Sequence, residues 1–294
     1  NPAYAQEASP PPAKEVAEAD PDEIFVTATL RTENLQEIPI AVSAYNAEAL
    51  DKSGVKDLKN LDQVSASFNA NSSQTESGGT TLRVRGVGTT GNNSGLESAV
   101  GIFLDGVYLS RPGIALGDLL DVQQVELLRG PQGTLFGRNT SAGAVSIKTA
   151  KPNLNKFEAY ANATYGNFDL FNVQAGFSAP IVEGVFGIRL SGASRDRDGF
   201  VRNAVGGQSN DRNRYLLRGQ AYFEPSADFS LRIIADYSNS DEKCCDAVIL
   251  QDTSYVAAGL FALNGLPANG GVTNVGPGAL KRRRTNNNFE FRDQ

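Results

Sequence analysis

Four stretches carry residue types whose spacing could do chemistry. Gly86-Val87-Gly88-Thr89-Thr90-Gly91 spells GxGxxG behind a β-prone run, the pattern by which a glycine turn and a helix N-terminus hold a dinucleotide pyrophosphate. The residues that follow, Asn92-Asn93-Ser94-Gly95, favour a turn over a helix, so a glycine-rich loop is the better reading. The stretch from Gly130 to Gly143 lacks the Gly-Lys-Ser/Thr ending of a phosphate loop. Cys244 and Cys245 are adjacent. They could close only a small vicinal disulfide that stiffens a loop, or act as thiols that capture a metal, and they cannot staple a fold. Lys281-Arg282-Arg283-Arg284 reads as a solvated loop that could also meet phosphates.

Composition removes whole classes of mechanism. The 294 residues include no His and no Trp, so no Ser-His-Asp triad, papain-like Cys-His pair or imidazole metal site can be assembled. Asp and Glu are scattered with no spacing that singles out a catalytic pair, so neither enzymatic activity nor a cofactor is expected. With 33 acidic against 27 basic residues and a net charge of −6, the chain lacks the positive surface that nucleic acid demands. No apolar run approaches the ~20 residues of a membrane-spanning helix, so a membrane would be crossed by strands or not at all.

The elements that must position these residues fall into blocks. Ala3-Tyr4-Ala5 before Gln6-Glu7 has the small-x-small form of a signal-peptidase site, and residues 1–5 are expected to be the remnant of a secretory leader. Residues 6–21 are rich in Ala, Glu and Pro and should be an extended, solvated tether. From Asp22 to about Lys151 short strands and helices alternate with Gly. Ile24 to Thr29 is a β-prone hexamer, and Ile38 to Ser43 is an apolar run whose Pro39 suggests an edge strand. Asn46 can cap a helix that runs through Lys52 and stops at Ser53-Gly54; Leu58, Leu61 and Val64 mark one face of another. Strands are expected at 81–85, 100–104, 122–128 and 144–149. Together these predict an α+β domain of roughly 130 residues.

After Pro152 the periodicity becomes two. Phe171, Val173, Ala175, Phe177 and Ala179 alternate with polar residues or Gly, as do Phe186, Ile188 and Leu190; Leu231, Ile233, Ala235 and Tyr237 alternate with Arg232, Asp236 and Ser238. Tight turns at 179–184 and 224–228 and a longer polar loop at 195–213 separate the segments. This is the pattern of transmembrane β-barrel strands, and equally that of a soluble sandwich with one wetted face. About five strands precede Asp241, and Phe289-Glu290-Phe291 is a weak sixth. A barrel with a plugged lumen has about 22, so either the chain supplies only part of one or the barrel reading is wrong.

The most informative stretch runs from Val125 to Val145, VELLRGPQGTLFGRNTSAGAV: a strand, a Gly-Pro turn, a second turn holding Gly133 and Gly137, and a return strand. It resembles the plug signature of TonB-dependent outer-membrane receptors. Glu23 to Ala28 (EIFVTA) resembles the TonB box, Leu35 to Val42 (LQEIPIAV) the opening of the plug, Leu82 to Gly88 the "IRGvG" strand and turn, and Val100 to Tyr108 the strand ending in Asp-Gly.

The resemblance implies an α+β plug domain followed by antiparallel transmembrane β-barrel strands. It places a TonB box at 22–28, the plug at 29–152 and barrel strands at 153–294. It further implies the bacterial outer membrane with the tether and box in the periplasm, and TonB with its ExbB-ExbD energy complex as partner. Lipid and lipopolysaccharide would surround the wall. The expected function is energy-coupled uptake of a scarce ligand, by default a ferric siderophore; the competing reading is a secreted or surface β-rich binding or adhesion module. Glu23, Ile24, Phe25, Val26, Thr27 and Ala28 would bind TonB by strand addition. Arg85, Arg129 and Arg138 would face carboxylates of the barrel wall, or else stabilise local turns. Thr89, Thr90, Asn92, Asn93, Tyr108 and Arg111 would offer ligand contacts at the outer apices, and Cys244-Cys245 would lie in an extracellular loop.

Overall fold

Two sheets of opposite character meet along one seam in the computed structural model, which describes residues 25–26, 33–73, 75–89, 97–110, 119–203, 207–243, 284–285 and 292–293. The first elements are the short antiparallel pair β1 (Phe25–Val26) and β2 (Glu33–Asn34). Next come β3 (Val42–Asn46) and helix α1 (Ala47–Lys52). Asn46 caps α1 as its sequence predicts, its side-chain oxygen accepting from Ala49 N at 2.8 Å. The second expected helix is a 3-10 segment, Leu58–Gln63, capped by Asp57.

β4 (Phe68–Ser73), β5 (Thr75–Val84) and β6 (Val87–Gly88) form a small antiparallel sheet. β7 (Val100–Leu104), β8 (Val107–Leu109), β9 (Val122–Arg129) and β10 (Gly143–Thr149) join β3 in the order β3-β9-β10-β7-β8, with β10 and β7 parallel. β9 and β10 are buried on both faces because apolar clusters cover each. Leu58, Leu61, Leu82, Ile102, Leu127 and Val145 belong to one cluster, and Ile38, Val42, Phe103 and Leu128 to the other. The strand expected at 38–43 starts at Val42: Pro39 and Ile40 lie in bends, and Val42 is the first residue paired to β9. β3 is nonetheless an edge, as the proline implied.

Gly86 to Gly88, the start of the GxGxxG motif, form a hairpin with β5, while Thr90 and Gly91 lie outside the described residues. Arg85 and Gly86 take the left-handed conformation (φ 53° and 77°) between β5 and β6, and Val87 pairs back to Val84. Among the described residues 85–89 no helix starts that could hold a phosphate.

The second sheet is an up-and-down meander. β11 (Glu158–Gly166), β12 (Leu170–Val182) and β13 (Phe186–Arg197) are followed, after β14 (Val201–Asn203) and β15 (Gln208–Ser209) in the long loop, by β16 (Arg212–Ser226) and β17 (Phe229–Ser240). All neighbours in β11-β12-β13-β16-β17 are antiparallel. Short pairs continue with β18 (Glu242–Lys243), β19 (Arg284–Thr285) and β20 (Arg292–Asp293).

Burial on this sheet runs opposite to that of a soluble sandwich. Arg189, Ser191, Arg195, Arg214, Arg218 and Gln220 are buried, while Phe171, Leu190, Leu217, Leu231 and Ile233 are exposed. Water would not leave apolar rows outside and arginines inside; a lipid exterior and a polar interior do. Aromatic rings gather at both strand ends, Phe157 with Phe177 and Phe223 with Phe229 at one, Tyr215 with Tyr237 and Phe168 with Phe200 at the other. The rise from Tyr215 to Phe223 is about 26 Å along the strand, close to the height of an outer-membrane apolar band.

Candidate functional site: the first strand and the seam

β1 alternates as an edge-binding strand should: Phe25 is 42% exposed and Val26 is fully buried. Val26 enters the cluster of Ile38, Val42, Phe103, Leu128 and Ala144. The main-chain oxygen of Phe25 accepts from Gln124 Nε2 at 2.9 Å, which docks β1 on β9. Glu23, Ile24, Thr27 and Ala28 lie outside the described residues.

Arg85 is exposed, and its backbone N–H donates to Ser67 O at 2.7 Å. Arg129 donates to Ala41 O (3.5 Å) and Val42 O (3.3 Å), tying β3 to the end of β9. Arg138 lies 3.6 Å from Glu97, both exposed. The partners shown for Arg129 and Arg138 are therefore plug groups. Thr89 donates to Glu97 O and accepts from Ala99 N, each at 2.9 Å. Tyr108 packs on Phe103 and accepts from Asn139 Nδ2 at 2.8 Å, within the cluster that holds Val26. Thr89 and Tyr108 thus have separate surroundings, while Thr90, Asn92, Asn93, Arg111, Cys244, Cys245 and Lys281 to Arg283 lie outside the described residues.

The seam between plug and wall is polar, with its charges the other way round. Arg189 of β13 forks onto Asp121, Nε to Oδ2 and Nη2 to Oδ1, both at 2.6 Å. Arg212 reaches Asp57 at 3.1 Å. Arg218 donates to Leu120 O at 2.9 Å and holds Asp236 of β17 at 2.6 Å. Arg232 reaches Asp105 Oδ1 (3.3 Å), Thr149 Oγ1 (2.6 Å) and Ala150 O (3.4 Å). The wall supplies the cations and the plug the carboxylates. The alternation of Arg189 and Arg232 with apolar neighbours marked them as inward-facing, but nothing in the sequence pointed to Asp57, Asp105 and Asp121 as their partners.

Beyond the seam, Glu242 is buried and accepts from Arg214 Nε at 2.6 Å, from Arg214 Nη2, and from Asn213 N at 3.1 Å. Burial pushes the nearby Asp211 carboxyl above its ordinary value, against the Lys243 N–H that donates to it at 2.5 Å.

Residues 34–144 match the TonB-dependent Receptor Plug Domain. The pesticin receptor of Yersinia pestis is 36% identical over 106 residues, which are 36% of this chain and 15% of that protein. The metal-pseudopaline receptor CntO of Pseudomonas aeruginosa is 29% identical over 130 residues, 44% of this chain and 17% of that protein. The chain therefore spans about a sixth of the length of these relatives. Among solved structures, the ferric yersiniabactin uptake receptor FyuA of Yersinia pestis has a TM-score of 0.65 at 24% identity, covering 69% of this chain and 32% of that one. The pyoverdine outer membrane receptor FpvA of Pseudomonas aeruginosa has a TM-score of 0.62 at 19% identity, covering 74% and 30%. At these identities the likeness is one of fold, and it is the fold already described, a plug seated against antiparallel barrel strands. Residues 34–144 are therefore a TonB-dependent receptor plug domain, and with the specific motif at Val125 to Val145 and an inverted wall beside it the chain is similar to TonB-dependent outer-membrane receptors.

Proposed function

We propose that the protein takes up a scarce ligand across the outer membrane, powered through TonB, with a ferric siderophore as the ligand class. The observation that carries this reading is the wall itself. Its rows of exposed apolar side chains suit lipid, its buried arginines suit a polar lumen, and a plug domain occupies the inner side. The siderophore class is supported by the relatives: FyuA is described as a ferric yersiniabactin uptake receptor and CntO as a metal-pseudopaline receptor.

The mechanism needs no chemistry on the ligand. The strand from Glu23 to Ala28 would add to a TonB sheet through backbone hydrogen bonds, with Ile24 and Val26 on one side and Phe25 and Thr27 on the other. TonB, charged by ExbB-ExbD, would pull from the periplasm and rearrange the plug so that ligand bound at its outer face passes. Arg85, exposed at its turn, would remain available to the barrel wall, and Thr89, Thr90, Asn92, Asn93 and Arg111 to the ligand.

The test is binding of the solubilised receptor to the isolated periplasmic domain of TonB, with and without Ile24→Pro. Proline removes one backbone donor and fixes φ, so binding should be lost while folding persists. Undiminished affinity in the variant would sink the box assignment. Uptake of iron-55 presented on a siderophore panel then identifies the ligand.

A further inference from the structure

We infer that Asn153 is a positioning residue that binds the connector Pro152–Lys156 to the barrel wall, so that remodelling of the plug ends at Ala150 and the connector does not follow it. The inference deepens the transporter reading, on which it rests, by naming the point where movement under a pull must stop.

The chain changes hands between Ala150 and Asn153. β10 ends at Thr149, and Ala150 N donates to Asp121 O at 2.9 Å within the plug. Pro152, which is buried, has no N–H to extend the ladder and keeps Lys151 before it in an extended conformation. Lys151 Nζ already lies over the wall, 5.5 Å from the centre of the Tyr222 ring of β16. Asn153 N donates to Ser178 Oγ of β12 at 2.7 Å, and Ser178 is fully buried. Leu154 O accepts from Gly184 N at 2.9 Å in the turn between β12 and β13.

The Asn153 side chain closes the connector on itself. Its Oδ1 accepts from Asn155 N at 2.9 Å and from Lys156 N at 3.1 Å, the local turn that an Asn side chain makes with the backbone beyond it. Its Nδ2 donates at 2.8 Å to Oε1 of Glu158, the first residue of β11. One amide group therefore joins the connector to the first wall strand. Packing points the same way. Leu154 is buried beside Gly187 of β13, where a Cβ would stand 3.0 Å from Asn153 O and 3.1 Å from Leu154 Cδ2. Glycine leaves the room that the connector fills. A pull that starts at β1 reaches the connector only through β10, whose ladder runs to β7 and β9 of the plug. An anchor just past β10 keeps the end of that strand beside the wall, so a remodelled plug returns from a high effective concentration and not by free search.

Residue-resolved hydrogen exchange on the receptor in lipid nanodiscs, over a series of urea concentrations below global unfolding, separates cooperative units. The amides of Asn153, Asn155, Lys156 and Gly184 should keep the protection of β12 and β13 after the amides of β9 and β10 have lost theirs. Ser178→Ala removes one acceptor and should speed exchange at Asn153 by about fivefold, leaving β12 and β13 unchanged. Asn153→Ala deletes the bonds to Asn155, Lys156 and Glu158 and should bring Gly184, which its side chain does not touch, to the exchange rate of β10. In that background, with Cys244 and Cys245 replaced by Ser, Leu154→Cys and Gly187→Cys joined by a bis-methanethiosulfonate linker should restore protection at Gly184. Connector amides that exchange together with β10 in the unmodified receptor, or a Gly184 amide indifferent to Asn153→Ala, overturn the inference. Titration of the periplasmic domain of TonB into the same nanodiscs keeps the two readings apart. A connector that opens with β10 while TonB binds overturns the anchor alone; a protected connector without TonB binding overturns the transporter reading alone.

Discussion

Gln124 Nε2 holds the main-chain oxygen of Phe25 at 2.9 Å, and Val26 beside it is buried in the plug. On the proposed reading of Glu23 to Ala28 as the strand that TonB takes, β1 must leave β9 first, because strand addition to a partner sheet needs those same backbone groups. The fraction undocked sets the apparent affinity of any partner. Gln124→Leu deletes one neutral hydrogen bond of about 1 kcal/mol, so affinity for the periplasmic domain of TonB should rise by about fivefold. Titration calorimetry on the solubilised receptor checks this; equal or weaker binding would show that the bond does not hold the strand back.

Leu217 separates a lipid-facing wall from a wetted one. It is 57% exposed in the middle of β16. On a water-facing sheet Leu217→Arg would change stability by no more than about 0.5 kcal/mol. In lipid the same change should cost about 2–4 kcal/mol near the midplane. Folding titrations in urea with phospholipid vesicles measure the difference, with Asp228→Arg in the β16–β17 turn as a control expected to be neutral.

How far the sequence reached depended on the range of the interaction. The Asn46 cap, the glycine turn at Arg85-Gly86 and the five-strand meander are local or periodic, and each was legible; the return of Val87 and Gly88 onto β5 was not. β4 was not anticipated: Phe68-Asn69-Ala70-Asn71-Ser72-Ser73 has little β-propensity and owes its extension to pairing with β5. The seam was equally hidden. Arg212 and Asp57 are 155 positions apart and Arg189 and Asp121 are 68 apart, and period-two patterning says which way a side chain faces without saying what it meets. Val26 could be placed on one side of a strand, but its complete burial depends on Ile38, Phe103 and Leu128, which arrive from distant elements.

Asp211 should give the loop between β15 and β16 a pH dependence. Burial raises its carboxyl above the usual value, so the folded state holds more protons than the unfolded one. The resulting stabilisation is full below the unfolded pKa of about 3.9 and is lost as pH rises through the folded value. Lys243 N donates to this carboxylate, so its amide reports the opening. Hydrogen exchange at Lys243, corrected for intrinsic rates, should show opening that grows with pH above about 4, and Asp211→Asn should flatten it. A wild-type profile with the opposite slope would contradict the raised value.

Glu126 and Lys148 join the stability of the plug to the docking of β1. Glu126 is fully buried on β9, Lys148 Nζ meets its Oε1 at 2.5 Å, and Gln124 Nε2 bridges toward the same oxygen at 3.4 Å. Lys148→Met takes the cation away from a buried carboxylate and should destabilise the plug by about 3–5 kcal/mol. Glu126→Gln with Lys148→Met removes both charges and should recover most of that loss, because a neutral amide in the same place carries no comparable desolvation penalty. Chemical denaturation of the four members of the cycle measures the coupling directly. Since Gln124 also holds Phe25, the single Lys148→Met variant should bind the TonB domain more tightly than wild type, and the double variant should return toward it. Stability that recovers while TonB affinity stays high would place the control of β1 in Gln124 alone.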